Sequence, residues 1–404
     1  MKIVVMKFGG TSVADIQRIV NVSEIIKKQY KKNKIVVVLS AMAGATNKLQ
    51  NYIDEISFPA SQENDLIITS GEQVTVGLLS MVLNKKGVKS TPILGWQVPI
   101  ITDTSYEKAK ILNINNQNII NLFKENDVIV LAGFQGISTE GKITSLGRGG
   151  SDTTAVAIAV ALKAERCDIY TDVEGVYSAD PNIVNNAKKI KKISYDEMLE
   201  MSSTGAKVLQ TRSVELAMKN NLTLQVLSSL TNNEGTFIVN EKQLIEKEIV
   251  SGVSYSKNES KITISGVPDR PGISAKIFGI LSNKNINVDM IVQNISQDGI
   301  YANLTFTVNF KDMKIARELL EENRHDINFK SISTNSDVSK ISVVGMGMMS
   351  QTGVAEKMFQ TLADNEINIL AISTSEIKIS VLIDKKYTEL AIKTLHSIYN
   401  LDKI

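Results

Sequence analysis

The sequence predicts an α/β protein with a mainly parallel central sheet in three layers, followed by two smaller α+β units. Three observations predict this class. Short, continuously apolar runs alternate with helix-like segments through residues 1–240, the pattern of strands covered on both faces by crossover helices. A second pattern then repeats itself at a spacing of 81 residues. Finally, the first apolar run ends in a turn holding one lysine, two glycines and two hydroxyls, at a strand exit where ligands of parallel sheets gather.

The elements follow in chain order. Ile3-Val4-Val5 is the first strand, and residues 15–28 have the amphipathic spacing of a helix. Ile35-Val36-Val37-Val38-Leu39 and Val128-Ile129-Val130-Leu131 are buried strands. The alanine-rich stretch 153–164 is a helix, and strands recur at 168–171 and 222–227. Residues 241–260 are charged and polar and predict a linker. Beyond them Gly272, Lys276, Phe278, Leu281, Ile286 and Asn287 recur as Gly353, Lys357, Phe359, Leu362, Ile367 and Asn368. In each copy a strand (262–264; 341–343) leads to a helix, a second strand (286–291; 367–372), an alternating strand and a closing helix. The first of these helices buries Ile273, Ile277, Ile280 and Leu281 on one face. That order is βαββαβ, a ferredoxin-like unit. The predicted domains are 1–240, a linker at 241–260, then 261–335 and 336–404.

Composition removes several function classes. The chain has 404 residues, 45 basic and 43 acidic side chains, and a net charge of +2, so no field draws it to nucleic acid or an anionic membrane. Cys167 stands alone, which leaves no intrachain disulfide and fits a reducing compartment. No signal-peptide layout and no apolar run of membrane-spanning length is read from the sequence, so a cytoplasmic protein is expected. Both histidines, His325 and His396, lie near the C-terminus. Chemistry at the front of the chain therefore relies on Lys, Arg, carboxylates, hydroxyls and backbone N–H groups, without a Ser-His-Asp arrangement.

The candidate site residues stand at strand exits. Lys7-Phe8-Gly9-Gly10-Thr11-Ser12 has the build of a phosphate site: glycines admit a bulky anion, free N–H groups point at it, and lysine adds a mobile charge. Gly147-Arg148-Gly149-Gly150-Ser151-Asp152 opens the alanine-rich helix and suits an anion that a guanidinium can clamp. Three other segments read equally well as ordinary structure. The loop 40–47, with Ser40 and Thr46 near its ends, is also a small-residue turn. Glu72 is also a helix-start carboxylate, and Thr171-Asp172 with Tyr177 is also a turn rich in Asx chemistry. Two imitations are set aside. Residues 136–143 have Walker A spacing, but Ile143 stands where a hydroxyl is required. Residues 345–350 mimic a dinucleotide fingerprint, but Ser350 replaces its third glycine.

Together these motifs resemble the aspartate kinases of the amino-acid kinase family. The resemblance lies in Lys-Phe-Gly-Gly-Thr-Ser-Val at 7–13, Gly-Arg-Gly-Gly-Ser-Asp at 147–152, Thr-Asp-Val-x-Gly-Val-Tyr at 171–177 and Gly-Ala-Lys-Val-Leu at 205–209. The tail resembles paired ACT domains, with Asp269-Arg-Pro-Gly272 and Asn287-Val-Asp289. The resemblance implies a three-layer amino-acid kinase domain and phosphorylation of the L-aspartate side chain by ATP with Mg²⁺. That acceptor is already ionised at neutral pH (carboxylate pKa about 3.9), so the missing histidines are expected.

It also implies roles. Lys7 would bridge the transferring phosphoryl group, with Phe8, Gly9, Gly10 and Ser12 around the phosphates. Arg148, with Gly149, Gly150 and Ser151, would clamp the substrate α-carboxylate. Glu72 and Asp152 would pair with its ammonium, Ser40 and Thr46 would orient its side chain, and Phe134 would wall the pocket. Thr171, Asp172, Tyr177 and Lys207 would hold the nucleotide. No residue is assigned as a protein metal ligand. Asp269, Asn287, Val288, Asp289 and Gln293 would bind an amino-acid effector, lysine alone or with threonine. A homo-oligomer formed through the ACT domains and a place in lysine, threonine and methionine biosynthesis follow from the same resemblance. Two positions depart from the family pattern: Asn182 replaces an arginine, and Gln210-Thr211 replaces His-Pro. The competing readings are a related kinase with another acceptor and a non-catalytic ACT sensor.

Overall fold

Residues 2–57, 59–203, 208–244, 248–297 and 299–403 are described in the computed structural model of the chain. Two units emerge, one built mainly from residues 1–176, 189–202 and 207–245, the other from 177–188, 203–206 and 246–404.

In the first unit β1 (Lys2–Phe8) leads into α1 (Ile16–Gln29), whose N-cap Asp15 accepts from the Arg18 amide at 2.8 Å. Then come β2 (Asn33–Leu39), α2 (Ala45–Ile56), α3 (Gln62–Ile68), α4 (Ser70–Lys85), β3 (Ser90–Ile93), β4 (Ile100–Thr102), β5 (Ile111–Ile114) and α5 (Gln117–Leu122). After β6 (Val128–Ala132), β7 (Gln135–Ser138) and β8 (Ile143–Ser145) lies α6 (Gly150–Ala161). The unit closes with β9 (Arg166–Thr171), β10 (Lys192–Ser194), α7 (Tyr195–Ser203), α8 (Thr211–Lys219), β11 (Leu224–Ser228) and β12 (Thr236–Val239).

The main sheet runs β10-β12-β11-β9-β1-β2-β6-β3, parallel from β11 through β3, with β12 antiparallel to β11. Alternation on β1 sends Met6 and Phe8 into a core with Ile19, Ile26, Leu79 and Leu83 of α1 and α4. Burying each such side chain contributes about 1.5–3 kcal/mol. α6 packs against β1, β2 and β9 and against α8. Its alanines and threonines are buried almost throughout, because short side chains let it lie close to the sheet. Helices therefore cover both faces, the three layers that the sequence predicts. The imitation Walker loop is the β7–β8 hairpin, closed by Ser138 N–H donating to Lys142 O at 2.7 Å. Together α3 and α4 form a stretch long and apolar enough to cross a membrane, which the sequence reading did not find. Val76, Leu79 and Leu83 of α4 are buried in the sheet core, so it serves here as a core helix.

The second unit comprises β13 (Gly252–Pro268), α9 (Ile273–Ser282), β14 (Val288–Ile295), β15 (Tyr301–Asn309), α10 (Met313–Glu322), α11 (Arg324–Ile327), β16 (Ser331–Val344), α12 (Val354–Asp364), β17 (Ile369–Ser375), β18 (Lys378–Asp384) and α13 (Thr388–Ile398). Its antiparallel sheet runs β14-β15-β13-β16-β18-β17. Two cores, around Ile262, Ile277 and Phe306 and around Ile341, Met358 and Val381, mark the two repeats. The repeat extends to backbone conformation: Gly272 and Gly353 cap α9 and α12 at φ of 88° and 89°.

Three expectations need correcting. The linker predicted over 241–260 gives way at Gly252 to β13, because Val253 and Tyr255 alternate beneath the polar residues. The first half of β13 pairs with Lys340–Val344, so the last strand of the second repeat comes from ahead of the first repeat. β16 likewise runs unbroken through the boundary placed at 335/336. On α9, Ile273, Ile277 and Leu281 are buried as expected, whereas Ile280 is half-buried.

The segment 177–188 packs in the second unit. Ser178 O accepts from Val253 N–H at 2.7 Å, Tyr255 donates to Asp180 at 3.0 Å, and buried His396 Nε2 lies 2.9 Å from Ser178 Oγ. This histidine is structural.

Candidate active site

A cleft of about 650 Å³ opens in the first unit at the carboxyl ends of β1, β2 and β6. It gathers ten residues singled out from the sequence: Lys7, Ser40, Thr46, Glu72, Phe134, Arg148, Gly149, Gly150, Ser151 and Asp152. They arrive from β1, the loop after β2, the first turns of α2 and α4, the loop after β6 and the start of α6.

Lys7 is the penultimate residue of β1, with its Nζ 2.6 Å from Asp152 Oδ1 and both side chains about nine-tenths buried (12% and 10% exposed). The contact is an ion pair lacking hydrogen-bond geometry, since Oδ1 accepts no hydrogen bond. Asp152 thus contacts Lys7 directly, whereas the resemblance assigned it to the substrate ammonium. Glu72 enters from the first turn of α4, and its Oε1 accepts from Ala41 N–H at 3.0 Å. Its Oε2 is buried without a partner. Burial pushes this carboxyl up to about 7, against the lowering effect of the Ala41 amide. Arg148 is the complement. It is exposed at the cleft, and among the described residues its guanidinium makes no ion pair or hydrogen bond.

The backbone is bent to present these groups. Phe134 sits at φ 69°, in the left-handed region that a bulky residue rarely adopts. Its N–H donates to Thr154 Oγ1 at 3.1 Å, and Leu146 N–H donates back to its carbonyl at 2.9 Å. Gly149 has φ +68°, and a Cβ there would meet the Gln210 side chain at 1.9 Å. At Gly10 a Cβ would lie 2.9 Å from Ala41 O. That glycine therefore lets the lysine turn approach the 40–47 loop.

Of the residues assigned to the nucleotide, Phe8, Gly9, Ser12, Thr171 and Asp172 lie at and just after the neighbouring exits of β1 and β9. Phe8 stacks on Tyr170 with centroids 4.5 Å apart, and Gly9 N–H donates to Tyr170 O at 3.2 Å. Ser12 Oγ donates to Ser229 Oγ at 2.8 Å, and Ser229 N–H donates to Thr171 O at 2.9 Å. Thr171 Oγ1 donates to Asp172 at 3.1 Å. Tyr177 begins the segment that packs in the second unit. Lys207 and most of the 205–209 motif lie outside the described residues.

Sequence reasoning missed Gln50, Asn64 and Glu107 in the cleft and Ser229 beside Ser12. It named Asn47 only as the end of the 40–47 loop and Gln210 only as a departure from the family pattern, and both line the cleft. Ser229 directly follows a strand, so its position alone could have flagged it. Glu107 carries no comparable local signal. Cys167 is buried, and desolvation raises its thiol pKa well above the ordinary value, which leaves it inert as a nucleophile.

Of the effector residues, Asp289 is held 2.5 Å from the buried Lys340 ammonium. Gln293 accepts from Ser274 Oγ of α9 at 3.3 Å. Asp269 N–H donates to Ile300 O at 2.9 Å, and Asn287 and Val288 lead into β14.

A cleft with an ion-paired lysine, a free guanidinium and an orphaned carboxylate oxygen, set at the strand ends of a covered parallel sheet, defines a small-molecule phosphotransferase with an appended paired sensor. Residues 2–228 match the amino acid kinase family, and residues 262–325 and 341–399 each match an ACT domain. The aspartate kinase of Pseudomonas putida is 49% identical over 100% of this chain and 98% of its own length. The aspartokinase of Helicobacter pylori is 46% identical over 99% and 100%. Among solved structures, E. coli aspartokinase III in complex with aspartate and ADP superposes with a TM-score of 0.83 at 25% identity, covering 98% and 99% of the two chains. The same enzyme with lysine and aspartate gives 0.79 at 26% identity, covering 99% and 100%. The chain belongs to the amino acid kinase family and, within it, to the aspartate kinases. Its reaction is phosphoryl transfer from ATP to the side-chain carboxylate of L-aspartate, giving 4-phospho-L-aspartate and ADP.

Proposed function

We propose that the cleft residues divide the reaction between an amino-acid clamp and a phosphoryl clamp. The observation that carries this reading is the pair of unsatisfied groups: the Arg148 guanidinium and Glu72 Oε2. They match the α-carboxylate and α-ammonium of aspartate, with Gly149 and Ser151 donating beside Arg148 and Gly150, its N–H held by Gly147 O, keeping the turn open. Ser40 and Thr46 orient the side-chain carboxylate, and Phe134 closes the wall. One of its oxygens attacks the γ-phosphorus, and the bond to the β,γ-bridging oxygen breaks, releasing ADP. No protein base is required. Lys7, oriented by Asp152, neutralises the charge developing on the transferring group. The Gly10 N–H and the Ser12 hydroxyl, turned from Ser229, donate to the phosphates, which Gly9, its own N–H held by Tyr170 O, lets approach. Thr171, Asp172 and Lys207 hold the nucleoside side.

The donor set suits a Mg²⁺ ion carried in on the nucleotide. Among the described residues no cluster of three His, Cys, Asp or Glu forms a protein cage, and Mg²⁺ ordinarily binds phosphates with one or two carboxylates. Asp152, whose buried Oδ1 accepts no hydrogen bond, is the carboxylate that would meet it, and the ion would neutralise phosphate charge.

The same reading places the enzyme in the cytoplasm, at the entry to lysine, threonine and methionine biosynthesis. Lysine, alone or with threonine, binds around Asp269, the 287–289 segment and Gln293 and favours an inactive arrangement of a homo-oligomer. A hydroxamate-trapping assay tests the whole. Signal is expected with aspartate but not glutamate, is lost when EDTA strips Mg²⁺, and falls on adding lysine with threonine. Full activity at saturating levels of both amino acids would refute the regulatory part.

Glu72 gives a pH signature. With its pKa raised to about 7, the free enzyme holds a proton there below neutrality, and pairing with the substrate ammonium must expel it. The aspartate KM is therefore flat above pH 7 and rises about tenfold per unit below it. Glu72→Gln should show a high KM without this limb, measured from pH 5.5 to 8.5. A wild-type KM that is constant across that range would exclude the assignment.

A further inference from the structure

We infer that Arg212 and Asp65 are positioning residues for aspartate binding, clipping residues 107–109 to 145–146 and so setting the 147–150 loop that carries Arg148. The inference rests on the assignment of Arg148 to the substrate carboxylate.

Asp65 of α3 is fully buried. Its Oδ1 accepts from Glu107 N–H at 3.0 Å and from Ser145 Oγ at 2.6 Å, and its Oδ2 accepts from Ser145 N–H at 2.7 Å. Arg212, half-buried in the first turn of α8, donates Nη1 to Leu146 O and Nη2 to Ala109 O, each at 3.0 Å. Between them Ala109 N–H donates to Ser145 O at 2.9 Å. Among the described residues neither charge makes an ion pair, Asp103 acting on Arg212 only at longer range. A pair serving only to join helices would face each other; these two instead grip the same two backbone segments, the acid by N–H and hydroxyl groups and the base by carbonyls.

What they grip bears on the cleft. Glu107 is held at φ 64°, a conformation that persists in a non-glycine residue only where the surroundings impose it. A Cβ on Gly147 would lie 2.8 Å from Glu107 O, so the start of the substrate loop presses on that residue. Arg212 fixes Leu146, one residue earlier. A planar guanidinium can span two carbonyls at once, and an ammonium cannot reproduce that fork.

The test is steady-state kinetics on the full chain bearing Arg212→Ala, Arg212→Lys or Arg148→Ala, with thermal unfolding as a check on folding. Arg212→Ala should raise the aspartate KM roughly ten- to hundredfold while the ATP KM stays within about twofold, the scale of a small misplacement. Millimolar guanidinium should recover part of the loss, and ammonium should not. Arg212→Lys should fall between, without rescue, and remains informative if the alanine variant fails to fold. If Arg148→Ala raises the aspartate KM but the Arg212 variants leave it unchanged, or shift both KM values and kcat alike, the clip is overturned. If Arg148→Ala itself leaves the aspartate KM unchanged, the substrate-loop assignment falls first.

Discussion

Lys7→Ala is expected to lower kcat roughly 10²–10³-fold at saturating aspartate and ATP, the scale of losing one preorganised charge from the transition state. Both KM values should move far less, because the lysine acts on charge that appears only as the phosphoryl group transfers. The same substitution strips Asp152 of its partner at 2.6 Å. Breaking a buried pair from one side costs about 3–5 kcal/mol, comparable to the kinetic effect, so the two must be separated. The double variant Lys7→Met with Asp152→Asn removes both charges. It should recover the unfolding temperature lost by the single variant but not the turnover. Recovery of turnover as well would mean that Lys7 merely neutralises Asp152, and its assigned role would fail.

What could be read from the chain beforehand follows from the range of the interactions involved. The strands of the main sheet announce themselves because burial on both faces demands continuous apolar runs, as at 35–39 and 128–131. Lys7 and the 147–152 residues were legible because they stand at strand exits within short motifs, so local sequence carries the geometry, whereas the roles of Glu72, on the first turn of α4, and of Phe134 came through the family resemblance. Glu107 and Asp65 were not. Their relation spans more than forty positions and consists of backbone hydrogen bonds, which leave no compositional trace. Arg212 was hidden likewise, since its partners are carbonyls that any residue supplies. The strand at Gly252 was missed because Lys257, Glu259 and Lys261 dominate the local composition, although Val253 and Tyr255 keep the period of two. The order of the two repeats also lay beyond a linear reading: the sequence shows the copies, but only pairing of the first half of β13 with β16 shows that one closes the other's sheet.

Arg148→Ala is expected to raise the aspartate KM about 30- to 150-fold, the effect of some 2–3 kcal/mol from removing one partner of a charge-assisted pair. The ATP KM should change little. The reasoning starts from what the free protein leaves undone. Arg148 has no partner among the described residues, so its removal strands no protein group and should barely alter the unfolding temperature. The loss appears only when the α-carboxylate enters the cleft and finds no counter-charge. Arg148→Lys restores the charge but not two parallel donors in one plane, and its KM should lie between alanine and wild type. β-Alanine-like acceptors that lack the α-carboxylate provide the converse arm: their poor use by the wild type should be unaffected by Arg148→Ala, since the deleted contact is one they never make. An aspartate KM unchanged by the alanine substitution, with the fold intact, would place the carboxylate elsewhere and return Arg148 to the status of a solvated loop residue.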